Sequence, residues 1–239
     1  MPTPERVIDY YFSIIAVLGT LVVFLSVKYT LRRWRSFPET GWKVRALSMG
    51  ILGLVLASLV ELPAMLLRAW VALAFVAGLA EESVKLIPLK FFENLDGWAR
   101  WKLVVGTGLF LGLIEGIFYT AGIFVLGQPA YLVVVRLVLI GLHTIWAAVS
   151  VGFLLGETGV KRFYGLAFSV IAHALYDLPS LAAIQGYSGD TVAYLAGLST
   201  VFLLVTPLMA KKATEVASAL FSPQDEANAP AMSTPEEKF

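Results

Sequence analysis

The sequence predicts an all-α polytopic membrane helix bundle of about seven transmembrane helices, with the N-terminus outside and the C-terminus in the cytoplasm. Three observations carry this reading. The 239 residues are 58% hydrophobic and 15% charged, with a mean hydropathy of +0.78, more apolar than a soluble core of this length requires. Apolar runs long enough to cross a bilayer recur along the chain. Basic residues gather in alternate connections between those runs.

The runs fall at about 10–29, 46–63, 66–89, 103–126, 131–155, 163–183 and 191–209, each near the length a spanning helix needs. The first lacks the basic flank and small-residue cleavage site of a secretory signal, so it reads as a retained helix. Lys28, Arg32, Arg33, Arg35, Lys43 and Arg45 follow it. Lys90, Arg100 and Lys102 follow the third run, Lys161 and Arg162 the fifth, and Lys211 and Lys212 the seventh. The opposite side carries Arg6 and Arg68. Cytoplasmic loops accumulate Lys and Arg, so this bias sets the orientation. Trp34, Trp42, Trp70, Trp98 and Trp101 fall at interface depths. From residue 213 the sequence turns to Ala, Ser, Pro and Glu and ends Ser233-Thr234-Pro235-Glu236-Glu237-Lys238, too polar to fold alone. This divides the chain into one membrane domain over 1–212 and a flexible cytoplasmic tail over 213–239, in a multi-pass protein of the cell membrane.

Composition also removes several kinds of function. A net charge of +1, from 18 basic and 17 acidic residues, offers no electrostatic footprint for nucleic acid. With Cys 0, disulfide frameworks, thiolate metal sites and cysteine nucleophiles are excluded.

The chemistry left to the chain lies inside the apolar runs, where a charged side chain costs a few kcal/mol or more unless it is paired or wetted. The third run ends Ala80-Glu81-Glu82-Ser83-Val84-Lys85, the fourth holds Glu115, the fifth Arg136 and His143, and the sixth His173 and Asp177. Counting along each helix puts Glu115, His143 and His173 near mid-depth on three consecutive helices. Glu81 and Glu82 sit in the cytoplasmic half of their helix about 100° apart, so one faces the site more directly than the other. Lys85 is within one turn of both and lowers the cost of an ionised carboxylate there. Asp177, one turn from His173, is placed to orient that imidazole. Gly108, Gly112 and Gly116, with Gly152 and Gly156 on the next helix, form small-residue stripes that permit close helix approach.

Two histidines and a carboxylate, here Glu115, His143 and His173, make a hydrolytic zinc set if a metal is present, with a further Glu as base on the bound water. A metal-free site is equally coherent, with Glu81 or Glu82 activating water and a histidine stabilising the oxyanion. Glu82 is favoured slightly as the base. Either version hydrolyses a bond inside the membrane, in a cleft expected to open toward the cytoplasmic half. Other intramembrane chemistries match poorly. No His-Glu-x-x-His helix occurs. No histidine follows Gly186-Tyr187-Ser188-Gly189, a rhomboid-like serine pattern, and Tyr176-Asp177 and Gly189-Asp190 make an incomplete presenilin-like aspartyl pair.

Four motifs in order resemble the PrsW family of intramembrane proteases, distantly similar to the type II CAAX prenyl endopeptidases, over about residues 70–180. They are Glu81-Glu82-Ser83-Val84-Lys85, matching Glu-Glu-x-x-Lys; Leu111-Gly112-Leu113-Ile114-Glu115 with Tyr119; His143-Thr144-Ile145-Trp146 with Gly152 and Gly156; and His173-Ala174-Leu175-Tyr176-Asp177. The chain departs from the family pattern at Phe110, one residue early, and at Gly116 and Asp177, where Asn is usual. The resemblance implies that Glu81, Glu82, Glu115, His143 and His173 form the catalytic set and that the substrates are transmembrane or membrane-anchored proteins such as anti-sigma factors. The Aph subunit of gamma-secretase, in the same superfamily, serves as a scaffold, so a non-catalytic membrane scaffold is the alternative. An ion or proton carrier is a third. The orientation is checked with topology reporters: one at Lys212 is expected to read cytoplasmic and one at Gln128 or Gly186 external, and reversed signals overturn it.

Overall fold

The computed structural model describes residues 3–34 and 41–220, and every regular element among them is helical. Thr3 caps α1 (Pro4–Ile14), its hydroxyl accepting from the Arg6 N–H. α1 passes through a π-helical turn at Ile15–Gly19 into α2 (Thr20–Trp34). Then come α3 (Trp42–Leu66), α4 (Trp70–Val84), the four-residue α5 (Pro88–Phe91), α6 (Gly97–Val125), α7 (Tyr131–Gly156), α8 (Tyr164–Gln185) and α9 (Gly189–Leu220). Among the described residues, six stretches are long and apolar enough to cross a membrane: Pro4–Thr30, Trp42–Leu66, Gly97–Val125, Tyr131–Gly156, Gly159–Gln185 and Gly189–Ser218. The chain is a multi-pass membrane protein.

The run expected at 66–89 is the exception. Arg68 takes a φ of 54°, a left-handed conformation that costs a residue with a Cβ and ends α3 in a turn. Pro88, which lacks an N–H, opens the separate α5. Between these breaks α4 keeps 15 residues, about 22 Å at the α-helical rise against a hydrocarbon core of about 30 Å.

Contacts fix the helix directions. Gly106 lies against Trp42 and Ala46, and Gly50 against Phe110 and Leu111, so α3 and α6 are parallel. The Trp70 N–H donates to the Gln185 side-chain carbonyl at 2.8 Å, while Gly78 meets Val170 and Ala174, so α4 and α8 are antiparallel. Gly108 meets His143 and Ala147, and Gly116 meets Ile140, which sets α6 antiparallel to α7. α7 is the most enclosed of the six long helices, with Leu142, Ile145, Trp146 and Val149 buried. The Tyr11 hydroxyl donates to the Tyr176 carbonyl at 2.9 Å and so must accept from Ser199 at 2.7 Å, pinning α1 to α8 and α9.

The helix does not give way to a tail at 213. α9 continues to Leu220 because Gly152 and Gly156 of α7 admit Ala213, Val216 and Ala217 against the α7 backbone, and Ala213 and Ala217 are buried there. The rest of the expected tail, 221–239, lies outside the described residues, as does Arg35. A Cβ at Gly152 would stand 2.8 Å from the Ala213 carbonyl oxygen. Gly152→Leu is therefore expected to cost about 2 kcal/mol by overpacking, read as a lower melting temperature of the detergent-solubilised protein. Gly122→Leu, whose Cβ meets nothing within 4 Å, is the control expected to melt with the parent.

Candidate functional site

The seven ionisable side chains that the sequence reading gave a role, Glu81, Glu82, Lys85, Glu115, His143, His173 and Asp177, come together, from α4, the turn after it, α6, α7 and α8. Glu82 and Lys85 are fully enclosed, as is His143, and His173 is 1% exposed. Lys85 Nζ lies 2.5 Å from Glu82 Oε1 and 2.7 Å from His143 Nδ1. His173 Nδ1 is 2.9 Å from the same Glu82 oxygen. That oxygen takes a hydrogen from an ammonium, so it belongs to a carboxylate, and His173 Nδ1–H is the donor to it. Glu81 stands between the imidazoles, Oε2 3.7 Å from His143 Nδ1 and Oε1 3.9 Å from His173 Nε2. Glu115 Oε2 is 3.1 Å from His143 Nε2, and Asp177 Oδ2 is 3.5 Å from His173 Nε2. Asp177 thus meets the ring nitrogen opposite the one Glu82 orients.

Local sequence explains the assembly. On α6, Gly112 sits directly under His143, where a Cβ would be 2.9 Å from ring Cδ2. On α4, Gly78 lets the backbone approach Val170 and Ala174 of α8, which brings the Glu81-Glu82 pair to His173. Trp146 stacks on the His173 ring, centroids 5.3 Å apart and planes 25° from parallel. The Gly108, Gly112 and Gly116 stripe serves the site. Gly152 and Gly156 do not, since they pack α9.

A cavity of about 580 Å³ reaches this cluster and is lined by Glu61, Glu81, Glu115, Tyr119, Arg136 and Asp177, among others. Met65 and Ile184 lie along it as well, so it runs toward the end of the bundle where α3 and α8 finish and α7 begins. The cleft was expected at the other end, the one rich in Lys and Arg. That end is filled instead. Trp34 packs edge-on to Trp42 and Trp101 at 4.7 and 6.1 Å, Trp98 packs on Trp101, and Lys102 Nζ lies about 5 Å from the Trp34 and Trp42 rings. Of the adjacent glutamates, Glu81 lines the cavity and Glu82 does not, the reverse of the slight preference drawn from sequence. The buried Oε2 of Glu81 has no hydrogen-bond partner among the described residues.

Glu61 escaped the sequence reading although it carries the same signal as Glu115, an acid inside an apolar run. Trp146 entered only as part of the His143-Thr144-Ile145-Trp146 motif, with no role, because a tryptophan in a membrane helix is ordinary core. Arg136 lies 3.7 Å from the centre of the Tyr119 ring, a cation–π contact on the cavity wall. Ser188, of the rhomboid-like tetrapeptide, caps α9 by accepting from Thr191 N–H at 3.4 Å and is exposed, which is a turn role.

Glu81, His143 and His173 each offer a ligand atom within 4.8 Å of the others, so Glu81 takes the place that Glu115 had in the expected ligand set. The donor types suit zinc. The surroundings do not, because the Lys85 ammonium, 2.7 Å from His143 Nδ1, would repel a divalent ion at the same imidazole in a low-dielectric interior. The residues present fit a resident metal poorly. No family model matches the chain, and no curated protein or solved structure matches it either.

The packing under His143 gives a test. Gly112→Ala is expected to push the ring off Glu115 and Lys85, reducing any activity of the site at least tenfold while the melting temperature falls by only a few degrees. An unchanged rate in Gly112→Ala overturns the geometry described.

Proposed function

We propose that the chain is an intramembrane endopeptidase of the cell membrane that hydrolyses peptide bonds of transmembrane or membrane-anchored proteins, with Glu81 as the water-activating base. One observation carries the reading: a glutamate with an unpartnered buried oxygen stands on a cavity wall between two imidazoles. The gaps of 3.7 and 3.9 Å between Glu81 and the imidazoles suit a bridging water better than a direct bond. In the proposed reaction Glu81 takes a proton from that water, whose oxygen adds to the carbonyl carbon. His173 serves here as an imidazolium between Glu82 and Asp177, and its Nε2–H stabilises the developing oxyanion. The C–N bond then breaks, and the proton passes to the leaving amine. The resemblance to PrsW-type proteases supports the same set of residues.

On this reading α4 is a short seventh crossing, since it runs against α3 and α6, which are parallel. With the N-terminus outside, as the Lys and Arg bias indicates, the cavity faces the outer side, and cleavage occurs in the outer half of the membrane. The metal-free route is preferred because of the Lys85 ammonium.

The test is cleavage of a model transmembrane peptide by the purified chain in detergent or vesicles. Glu81→Gln, Glu82→Gln, His143→Ala and His173→Ala are expected to abolish it, with expression kept. Chelation is expected to leave the parent rate unchanged in protein shown to hold less than about one tenth of a metal per chain. Loss of cleavage on chelation, restored by zinc, returns the metal route. No cleavage of any membrane peptide by well-folded protein favours the scaffold, and vesicle ion flux lost in Glu115→Gln favours the carrier.

A further inference from the structure

Lys85 has no exposed surface and pairs with Glu82 as an ammonium with a carboxylate. An ammonium has three hydrogens and no lone pair, so each of its polar contacts is a donation. One hydrogen goes to Glu82 Oε1, and another to His143 Nδ1 at 2.7 Å. A ring nitrogen that accepts carries no hydrogen. A neutral imidazole has one N–H, so that of His143 lies on Nε2, the atom 3.1 Å from Glu115 Oε2 on the cavity wall. The charged groups around this ring come from every side: Lys85 and Glu81 at Nδ1, Glu115 at Nε2, and His173 edge-on at a centroid distance of 5.1 Å.

We propose that Lys85 is a positioning residue that locks His143 in its Nε2–H tautomer, with the imidazole hydrogen on the ring edge nearest Glu115 rather than on the edge nearest Glu81. The competing partner of Nδ1 is Glu81 Oε2, 3.7 Å away, and a carboxylate there draws the hydrogen to Nδ1. With the ammonium in place, Nδ1 is engaged as an acceptor, and Glu81 is left without a hydrogen bond from His143 and open to water. Without it, the hydrogen moves to Nδ1 and Glu81 is tied to the ring. One side chain thereby keeps the cavity-facing carboxylate available. The consequence for turnover rests on the protease reading. The tautomer does not.

The experiment is nitrogen-15 NMR of the full chain, labelled on histidine, in lipid nanodiscs. The chain has 2 histidines, so the spectrum of His143→Gln assigns them. The parent is expected to show His143 with a bare Nδ1 and a hydrogen-bearing Nε2. Lys85→Met is expected to move the hydrogen to Nδ1 and to reduce kcat on the order of 10- to 100-fold with KM within about twofold, and Lys85→Arg to restore both. Lys85→Met combined with Glu82→Gln removes the uncompensated buried carboxylate if the single variant folds poorly, and the parent spectrum decides even if neither folds. A hydrogen on Nδ1 in the parent, or a tautomer unmoved by removal of Lys85, overturns the proposal whatever the protein cleaves. The expected tautomers in a protein that cleaves no membrane peptide leave the proposal standing and remove the protease reading alone.

Discussion

The structure is organised around the contact of Lys85 with Glu82 Oε1, an ion pair at 2.5 Å with neither side chain exposed. Burying two charges is expensive, and their attraction offsets the cost only when further hydrogen bonds complete the geometry. Here His143 and His173 supply them. Because the pair sits at the end of the short α4, α7 and α8 must bring their histidines to that depth. The glycines at 78 and 112 follow from this demand, since each is placed where a Cβ would displace a helix or a ring. Small residues and buried charge are two sides of one arrangement: helices pack closely enough for Lys85, Glu82 and the two Nδ1 atoms to meet one another directly.

The same packing also separates the two adjacent glutamates. Glu82 is held by two donors on one oxygen and works as part of the frame. Glu81, one residue away on the helix, points into open volume beside Glu115 and Asp177. A helical step of about 100° is enough to make one carboxylate a buried anchor and to turn its neighbour toward a cavity.

Much of this was legible in the sequence. Six of the seven expected runs correspond to long apolar helices, and the seven clustered side chains followed from the cost of charge in lipid. Three features were not legible, each for a physical reason. The 66–89 run hid a turn, because Leu66 and Leu67 are as apolar as the helices they separate and Arg68 gave no sign of its left-handed φ. The α9 extension to Leu220 was hidden because Ala213 and Ala217 look like tail composition until Gly152 and Gly156 are seen opposite them. The direction of the cavity was misjudged because the depth of Glu81 was known while the space beside it depended on bulk elsewhere: four tryptophans fill one end, and the other is left open. Glu61 was legible by the rule that found Glu115 and was passed over, since it lies close to the end of its run.

On the reading of α4 as a short seventh crossing, its brevity has a consequence for the lipid itself. Its 15 residues expose Phe75 and Leu79 on the outer surface of the bundle, so acyl chains meet a hydrophobic face well short of an ordinary leaflet pair. Lipids accommodate a short span by thinning, at fractions of a kcal/mol per ångström of mismatch. Beside α4 the bilayer is accordingly pinched. Headgroups and their hydration descend there, and any other helix that drifts against this face has its backbone amides brought nearer to water, where unwinding costs least.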